Sequence, residues 1–368
     1  MAGITIGERA SVWRRRRGMT LDDVARQTGL PGDALAELEA GAGWIDRHST
    51  LAALATALQV TPVDLAGQPY PPLADEHTRL HEAVFRLRRQ LAAAPPPVPE
   101  GRFGMLAGEI ATAVRAARAH DSPDAWSAVP EILAAAYAVR GQPVDRAEQP
   151  SALLAEAGAL AVALTRDLGY LDLCWSLIHH LGPVARRHPS VRAEEIRLLL
   201  SLGLPEHAAS LITEEELTLN GGELAAAGAQ ALAAAGAGRR AVALLDGARS
   251  RADEPYADSL LQAARVTVAV EAGAYDEVPA LADAVGLAAL SPVEAVPVRF
   301  AVATAAARRG DTRCAVSALL DAVASAPVRC TLHPFIRDLL VTLSRRTPSL
   351  PAQPSALLQN AVERLGLG

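Results

Sequence analysis

No lysine occurs in the 368 residues, so all 35 basic side chains are arginines. We read that bias as GC-rich coding rather than chemistry. Aromatic residues make up only 4% while alanine is abundant, which disfavours sheets and favours closely packed helices. Three cysteines, Cys174, Cys314 and Cys330, are too few and too irregularly spaced for a disulfide framework, and suggest a reduced, cytoplasmic protein. A secretory leader is not expected, because Arg14 to Arg17 interrupt the N-terminal segment. No apolar run of about 18 residues lacks polar breaks, so no membrane span is expected. A net charge of −6 gives no global attraction to nucleic acid or lipid.

Catalytic patterns are missing too. There is no glycine-rich phosphate loop, no serine-nucleophile motif, and no carboxylate pair that stands out from charged helix surface. The His179-His180 pair lies about 100° apart on a helix, which predicts one core and one surface histidine. Cys330-Thr331-Leu332-His333 has ligand-like spacing but no second half, and a zinc site needs about four ligands. The sequence therefore predicts neither an enzyme nor a bound metal or cofactor.

What is present is helical patterning. Residues 6–66 read as short helices: an amphipathic Ile6 to Arg17, then Thr20-Leu21-Asp22-Asp23 as a capping box with Asp for the usual Glu. Gly29 is placed to stop that helix, and further helices follow over Pro31 to Ala40, Ser49 to Leu58 and from Pro62. A connecting helix from Leu73 to Ala94 carries Leu80, Val84, Leu87 and Leu91 at helical spacing. The run "AAAPPPVPEG", Ala92 to Gly101, reads as a stiff linker. The expected organisation is thus 1–70, a connection over 71–100, and 101–368.

The last part repeats. Gly169, Gly203, Gly236, Gly273 and Gly310 are spaced by 34, 33, 37 and 37 residues, each followed five residues on by Cys174, Ala208, Ala241, Val278 or Ala315. A glycine lets the chain reverse between antiparallel helices, and the small residue lets them approach closely. This period resembles a degenerate tetratricopeptide array, with 101–150 and 333–366 as atypical end pairs. The fold class expected is all-α: a helix-turn-helix unit followed by an α-solenoid of helix pairs. By repeat register, Ala159, Ala193, Ala226, Ala263 and Phe300 form one row, with Ala163, Arg197, Gln230, Thr267 and Thr304 beside it. Glu156 and Arg166 extend that face, and in tetratricopeptide folds it is concave. The candidate ligand residues are Glu156, Arg166, Arg197, Gln230, Thr267, Phe300 and Thr304. Peptide-binding relatives clamp backbone with asparagines, and only Asn220 and Asn360 exist, so a small ligand or another protein fits better. The alternative is that the alanines only permit tight packing and the polar row is solvated.

Ile6-Gly7-Glu8-Arg9, Arg17-Gly18-Met19-Thr20-Leu21, Val24-Ala25, Gly29-Leu30, Leu35, Leu38-Glu39-Ala40-Gly41 and Leu51 to Ala55 together resemble the Xre/Cro-type helix-turn-helix family. The joined architecture looks like the Xre-type regulators common in actinobacteria. The resemblance implies a dimeric DNA-binding regulator in which Pro31 to Ala40 enters the major groove. It places DNA contacts at Arg9, Arg14, Arg15, Arg16, Arg17, Gly32, Asp33, Glu37, Arg47 and His48, and gives Glu39 a structural role. Several positions depart from the family. Base readers are replaced by Gly32, Asp33 and Glu37, a phosphate-binding glutamine by Leu21, and a Ser or Thr by Pro31. Residues 1–70 carry seven arginines and eight acids, where DNA-binding domains show a basic footprint. Two other functions stay open. One is a repurposed scaffold or ligand-binding protein whose helix-turn-helix has left DNA; the less supported one is an enzyme using the array's cavity.

Overall fold

The computed structural model describes residues 3–72, 75–92, 103–140, 148–213, 221–252, 254–346, 352–364 and 367. Among these there is no strand; the chain is all-α. Thr5 opens α1 (Ile6–Arg16): its hydroxyl accepts the Glu8 amide at 3.1 Å, and the Glu8 carboxylate accepts the Thr5 amide at 2.7 Å. The same reciprocal cap, with the aspartate the sequence predicted, joins Thr20 and Asp23 at the start of α2 (Leu21–Thr28). Gly29, at φ +70°, ends that helix in the left-handed region. α3 (Gly32–Glu39), α4 (His48–Leu58) and α5 (Pro62–Ala66) complete the unit, α5 again capped by Thr61 and Asp64. Gly7 lets α1 and α3 meet backbone to backbone: a Cβ there would lie 2.0 Å from the Leu38 carbonyl oxygen.

α6 (Asp75–Leu91) buries Leu80, Ala83, Val84 and Leu87. It lies within the span expected for the connecting helix, whose residues 73, 74, 93 and 94 fall outside the described residues, as does 93–101 of the proline-rich linker. The N-terminal end group consists of α7 (Phe103–Ala119), α8 (Pro123–Ser127) and α9 (Val129–Arg140). Helix pairs follow: α10 (Glu148–Asp167) with α11 (Leu171–His180), a single-turn α12 (Gly182–Arg186), then α13 (Pro189–Ser201) with α14 (Pro205–Ser210). Next come α15 (Gly221–Ala234) with α16 (Gly238–Arg249), α17 (Pro255–Glu271) with α18 (Val278–Asp283), and α19 (Pro292–Arg308) with α20 (Thr312–Ser325). α21 (Pro327–Leu332), α22 (Pro334–Arg345) and α23 (Ala352–Arg364) close the chain.

Every repeat glycine sits at its pair's reversal with φ between +75° and +89°. Each small partner five residues on, from Cys174 to Ala315, is 0% exposed. The conformational and the packing halves of the repeat signature are therefore both present. The array also curls far enough for its ends to meet. Asp121, between α7 and α8, accepts the amides of Val328 at 2.6 Å and Arg329 at 3.1 Å on α21.

Residues 6–66 do not keep a core of their own. Ile6, Leu35, Leu38, Leu54 and Leu58 belong to one apolar cluster with Phe335, Ile336, Leu339, Leu340 and Leu358. At about 1.5–3 kcal/mol for each large apolar side chain fully buried, this shared cluster outweighs the polar contacts beside it. Apolar burial holds the unit to the array, and the hydrogen bonds set its orientation.

Candidate nucleic-acid interface

On α3, Leu35 and Leu38 are buried while Gly32, Asp33, Ala36 and Glu37 are exposed, as three- and four-residue spacing dictates. The face that a groove would meet therefore carries two carboxylates and otherwise small residues. Leu21, at the start of α2, packs against the core. Arg26, which the sequence reading overlooked, stands out on α2 with 76% of its side chain exposed and pairs with Asp23 at 2.9 Å.

The run Arg14 to Arg17 divides. Arg15, Arg16 and Arg17 are exposed. Arg15 donates to Ser11 Oγ at 2.9 Å, Arg16 lies 5.3 Å over the Trp13 ring, and Arg17 donates to the Gln59 carbonyl at 2.9 Å. Arg14, expected at a phosphate, is engaged within the unit. It forks onto Glu39 at 2.6 and 2.7 Å and donates to the Met19 carbonyl at 2.9 Å, tying α1 to the end of α3. The hydrogen bond that Arg14 donates to Glu39 raises the pKa of the arginine. Glu39 is thereby structural. Replacing Arg14 with alanine leaves Glu39 mostly buried without its cation, and should cost about 2–3 kcal/mol in a denaturant titration. Arg9, also expected at the DNA, donates to the Ile4 carbonyl at 2.9 Å and lies under Gly67, where a Cβ would come 2.5 Å from its guanidinium carbon.

Arg47 and His48, expected beside the groove, lie against the array. Glu271 on α17 accepts the amides of His48 at 2.9 Å and Ser49 at 2.8 Å, so an array carboxylate caps α4. Burial works to raise the Glu271 pKa, but hydrogen bonds from His48 and Ser49 outweigh it and hold the carboxyl at about 2. The His48 ring meets Phe335 edge-on at 5.0 Å. Arg47 lies 3.9 Å from Asp46 and beside Gly273.

The whole segment between α3 and α4 is held in this way. Asp338 on α22, 3% exposed, accepts the Ile6 amide on one oxygen and the Ile45 amide on the other, both at 2.7 Å. Burial pushes its pKa up to about 7 despite those two amides. Thr342 donates to the Gly43 carbonyl at 3.1 Å, and Arg346 donates to the Ala42 carbonyl. Arg308 binds Asp46 at 2.8 Å while stacking 4.2 Å from Trp44, and Arg345 binds the Glu8 carboxylate at 3.0 Å. The one signal in the sequence was Asp338 itself, a lone acid among Phe335, Ile336, Leu339 and Leu340.

The expected ligand face is not an open row. Ala159, Ala193 and Ala263 are buried, so the alanines serve packing. Phe300, 7% exposed, lies in the cluster shared with the helix-turn-helix unit, and Thr304 is 0% exposed with no hydroxyl partner among the described residues. Arg166 and Arg197 join a chain of ion pairs rather than facing a vacant groove. Arg118 meets Glu223 at 3.6 Å, Glu223 meets Arg197 at 3.0 Å, and Arg197 meets Glu194 at 2.5 Å. Glu194 then meets Arg166 at 2.6 Å, which pairs with Asp167 at 2.8 Å, and Asp167 with Arg329. Glu156 and Gln230 are half-buried, and the Thr267 hydroxyl donates to the Ala264 carbonyl at 2.8 Å.

His179 and His180 are both exposed, each ring nitrogen bonded to a carbonyl four residues back, so neither is a core histidine. Cys330 is 0% exposed, and burial pushes its thiol up to about 12. His333 caps α22, and burial lowers its pKa to about 3. Among the described residues no three His, Cys, Asp or Glu side chains gather as a metal site, and no helix is long and apolar enough to cross a membrane.

Residues 5–67 match the family model described as a helix-turn-helix domain. Among solved structures, that of Bacillus thuringiensis PlcR in complex with the peptide PapR7 and DNA aligns over 98% of each chain at 11% identity. Its TM-score of 0.20 is too low to establish a common architecture. No curated protein matches the chain.

Proposed function

We propose that this chain is a non-catalytic, DNA-binding transcriptional regulator of the Xre type. In this reading it acts as a homodimer in the cytoplasm, and its helical array answers to a small ligand or a protein. The observation that carries the proposal is the helix-turn-helix match over 5–67, with the outer face of α3 left exposed although the segment that follows it is gripped by the array. Exposed Arg15, Arg16 and Arg26 are the cations suited to phosphates beside the groove. Because Glu271 and Asp338 pin the segment following α3, a ligand that favours one curvature of the array would move both α3 helices of a dimer together. A gel-shift screen against genomic fragments at low salt tests the reading, and no retention of any fragment overturns it.

A repurposed scaffold is the second reading, favoured by exposed Asp33 and Glu37 and by the loss of Arg14, Arg47 and His48 to internal contacts. The double variant Asp33→Asn with Glu37→Gln separates the two. If α3 faces a phosphate-lined groove, removing two negative charges should strengthen non-specific DNA binding at least about threefold at low salt and shift its salt dependence. A scaffold's DNA retention would stay at background.

A further inference from the structure

The outer face of α3 offers a short chemical inventory. Gly32, Asp33, Ala36 and Glu37 are exposed on it, with Pro31 and Ala40 exposed at its two ends. Only Asp33 and Glu37 among these carry polar side-chain atoms. Neither carboxylate has a hydrogen bond or ion pair among the described residues, whereas Glu39, two residues on, is taken by Arg14. The two lie four residues apart, so they share one helix face and are about 6 Å apart along its axis. Asp33 is the second residue of α3, in the N-terminal part that meets base edges when such a helix lies in the major groove. No arginine, glutamine or asparagine stands on this face, so guanine and adenine lack their usual partners.

Given the DNA-binding reading, on which this assignment rests, we infer that Asp33 and Glu37 read cytosine. The half-site then carries two cytosines one or two base pairs apart, each donating an N4 amino hydrogen to one carboxylate. An ionised carboxylate can only accept, so it needs a donor on the base edge. Guanine and thymine present none in the major groove. The N6 donor of adenine is flanked by its own N7 and by the O4 of its thymine, both acceptors that repel a carboxylate. The N4 donor of cytosine has an acceptor on one side only, the O6 of its guanine. Base pairs rise about 3.4 Å each, so side chains about 6 Å apart meet pairs one or two steps apart. What points to DNA is the helix-turn-helix match and exposed Arg15, Arg16 and Arg26, not the carboxylates themselves. Two acids beside a polyanion lower affinity for every sequence. Opposite cytosine a charge-assisted hydrogen bond recovers that loss, and opposite any other base nothing does, so the pair acts through selectivity.

The test is selection of bound duplexes from a random-sequence library by the full chain at low salt, read by sequencing. The parent should enrich two C·G pairs one or two base pairs apart and disfavour any other pair there about fivefold or more. Asp33→Ala should lose the preference at one of these positions and Glu37→Ala at the other, each keeping the remaining one. Both side chains are exposed and unpartnered among the described residues, so neither loss disturbs the fold. Asp22→Ala, which removes an exposed acid from α2, should raise affinity for all sequences alike and leave the enriched pairs unchanged. An enriched site without such cytosines, or one that both α3 variants keep intact, overturns the cytosine assignment while the DNA-binding reading stands. If the parent retains no duplex at all, both fall together.

Discussion

Gly7→Ala should cost at least about 3 kcal/mol and abolish any DNA retention, the largest effect expected from a single methyl group in this protein. The added carbon would sit 2.0 Å from the Leu38 carbonyl oxygen, 2.4 Å from its carbonyl carbon and 3.0 Å from its Cα. All three are backbone atoms, so no side-chain rotation relieves the overlap, and α1 must move off α3. Overpacking that forces backbone shifts costs about 1–3 kcal/mol and occasionally more. The displacement also strains the Arg14 fork onto Glu39 and the shared apolar cluster around Leu38. A denaturant titration measures the loss. Gly32→Ala is the control, because a Cβ at that position meets nothing within 4 Å. Equal midpoints for the two variants would show that α1 and α3 are not in backbone contact.

Asp338→Ala should have the next largest effect, about 2–6 kcal/mol, because it leaves the Ile6 and Ile45 amides buried without an acceptor. Each orphaned group costs about 1–3 kcal/mol. Asp338→Asn should recover part of the loss, since its amide oxygen can still accept one N–H while its amino group opposes the other. The damage should also be localised. Limited proteolysis is expected to cut first between Gly41 and Ser49, the segment held by Asp338, Thr342, Arg346 and Glu271. An alanine variant with the parent's midpoint and cleavage pattern would mean that apolar burial alone orients the unit.

Both predictions concern contacts of very different legibility. Gly7 belongs to a short motif and its neighbour Leu38 to the same unit, so a resemblance could point to the pair. Asp338 reaches back 332 residues to Ile6, and no periodicity spans such a distance. The same holds on a smaller scale for Arg14. As one of four consecutive arginines it reads as a cationic run, and only the packing of α1 on α3 brings Glu39 under it. The candidate ligand row shows the same limit. Register puts Ala159, Ala193 and Ala263 in one row, and all three are buried, but register does not say what covers them.

The sequence by itself determined what local rules govern. Glycines able to take positive φ end the first helix of each pair, small residues five positions later let the second approach, and Thr–Glu or Thr–Asp boxes start α1, α2 and α5. These are decided within a few residues, by steric limits on φ and by amides that need acceptors. Only the tertiary structure decided that the array curls until Asp121 caps α21, and that it holds the segment after α3 on its own carboxylates. Only the tertiary structure decided, too, which arginines remain exposed. The physical reason is that each of these depends on which buried charge or amide finds which partner once the apolar surfaces have closed, and those partners lie hundreds of residues apart.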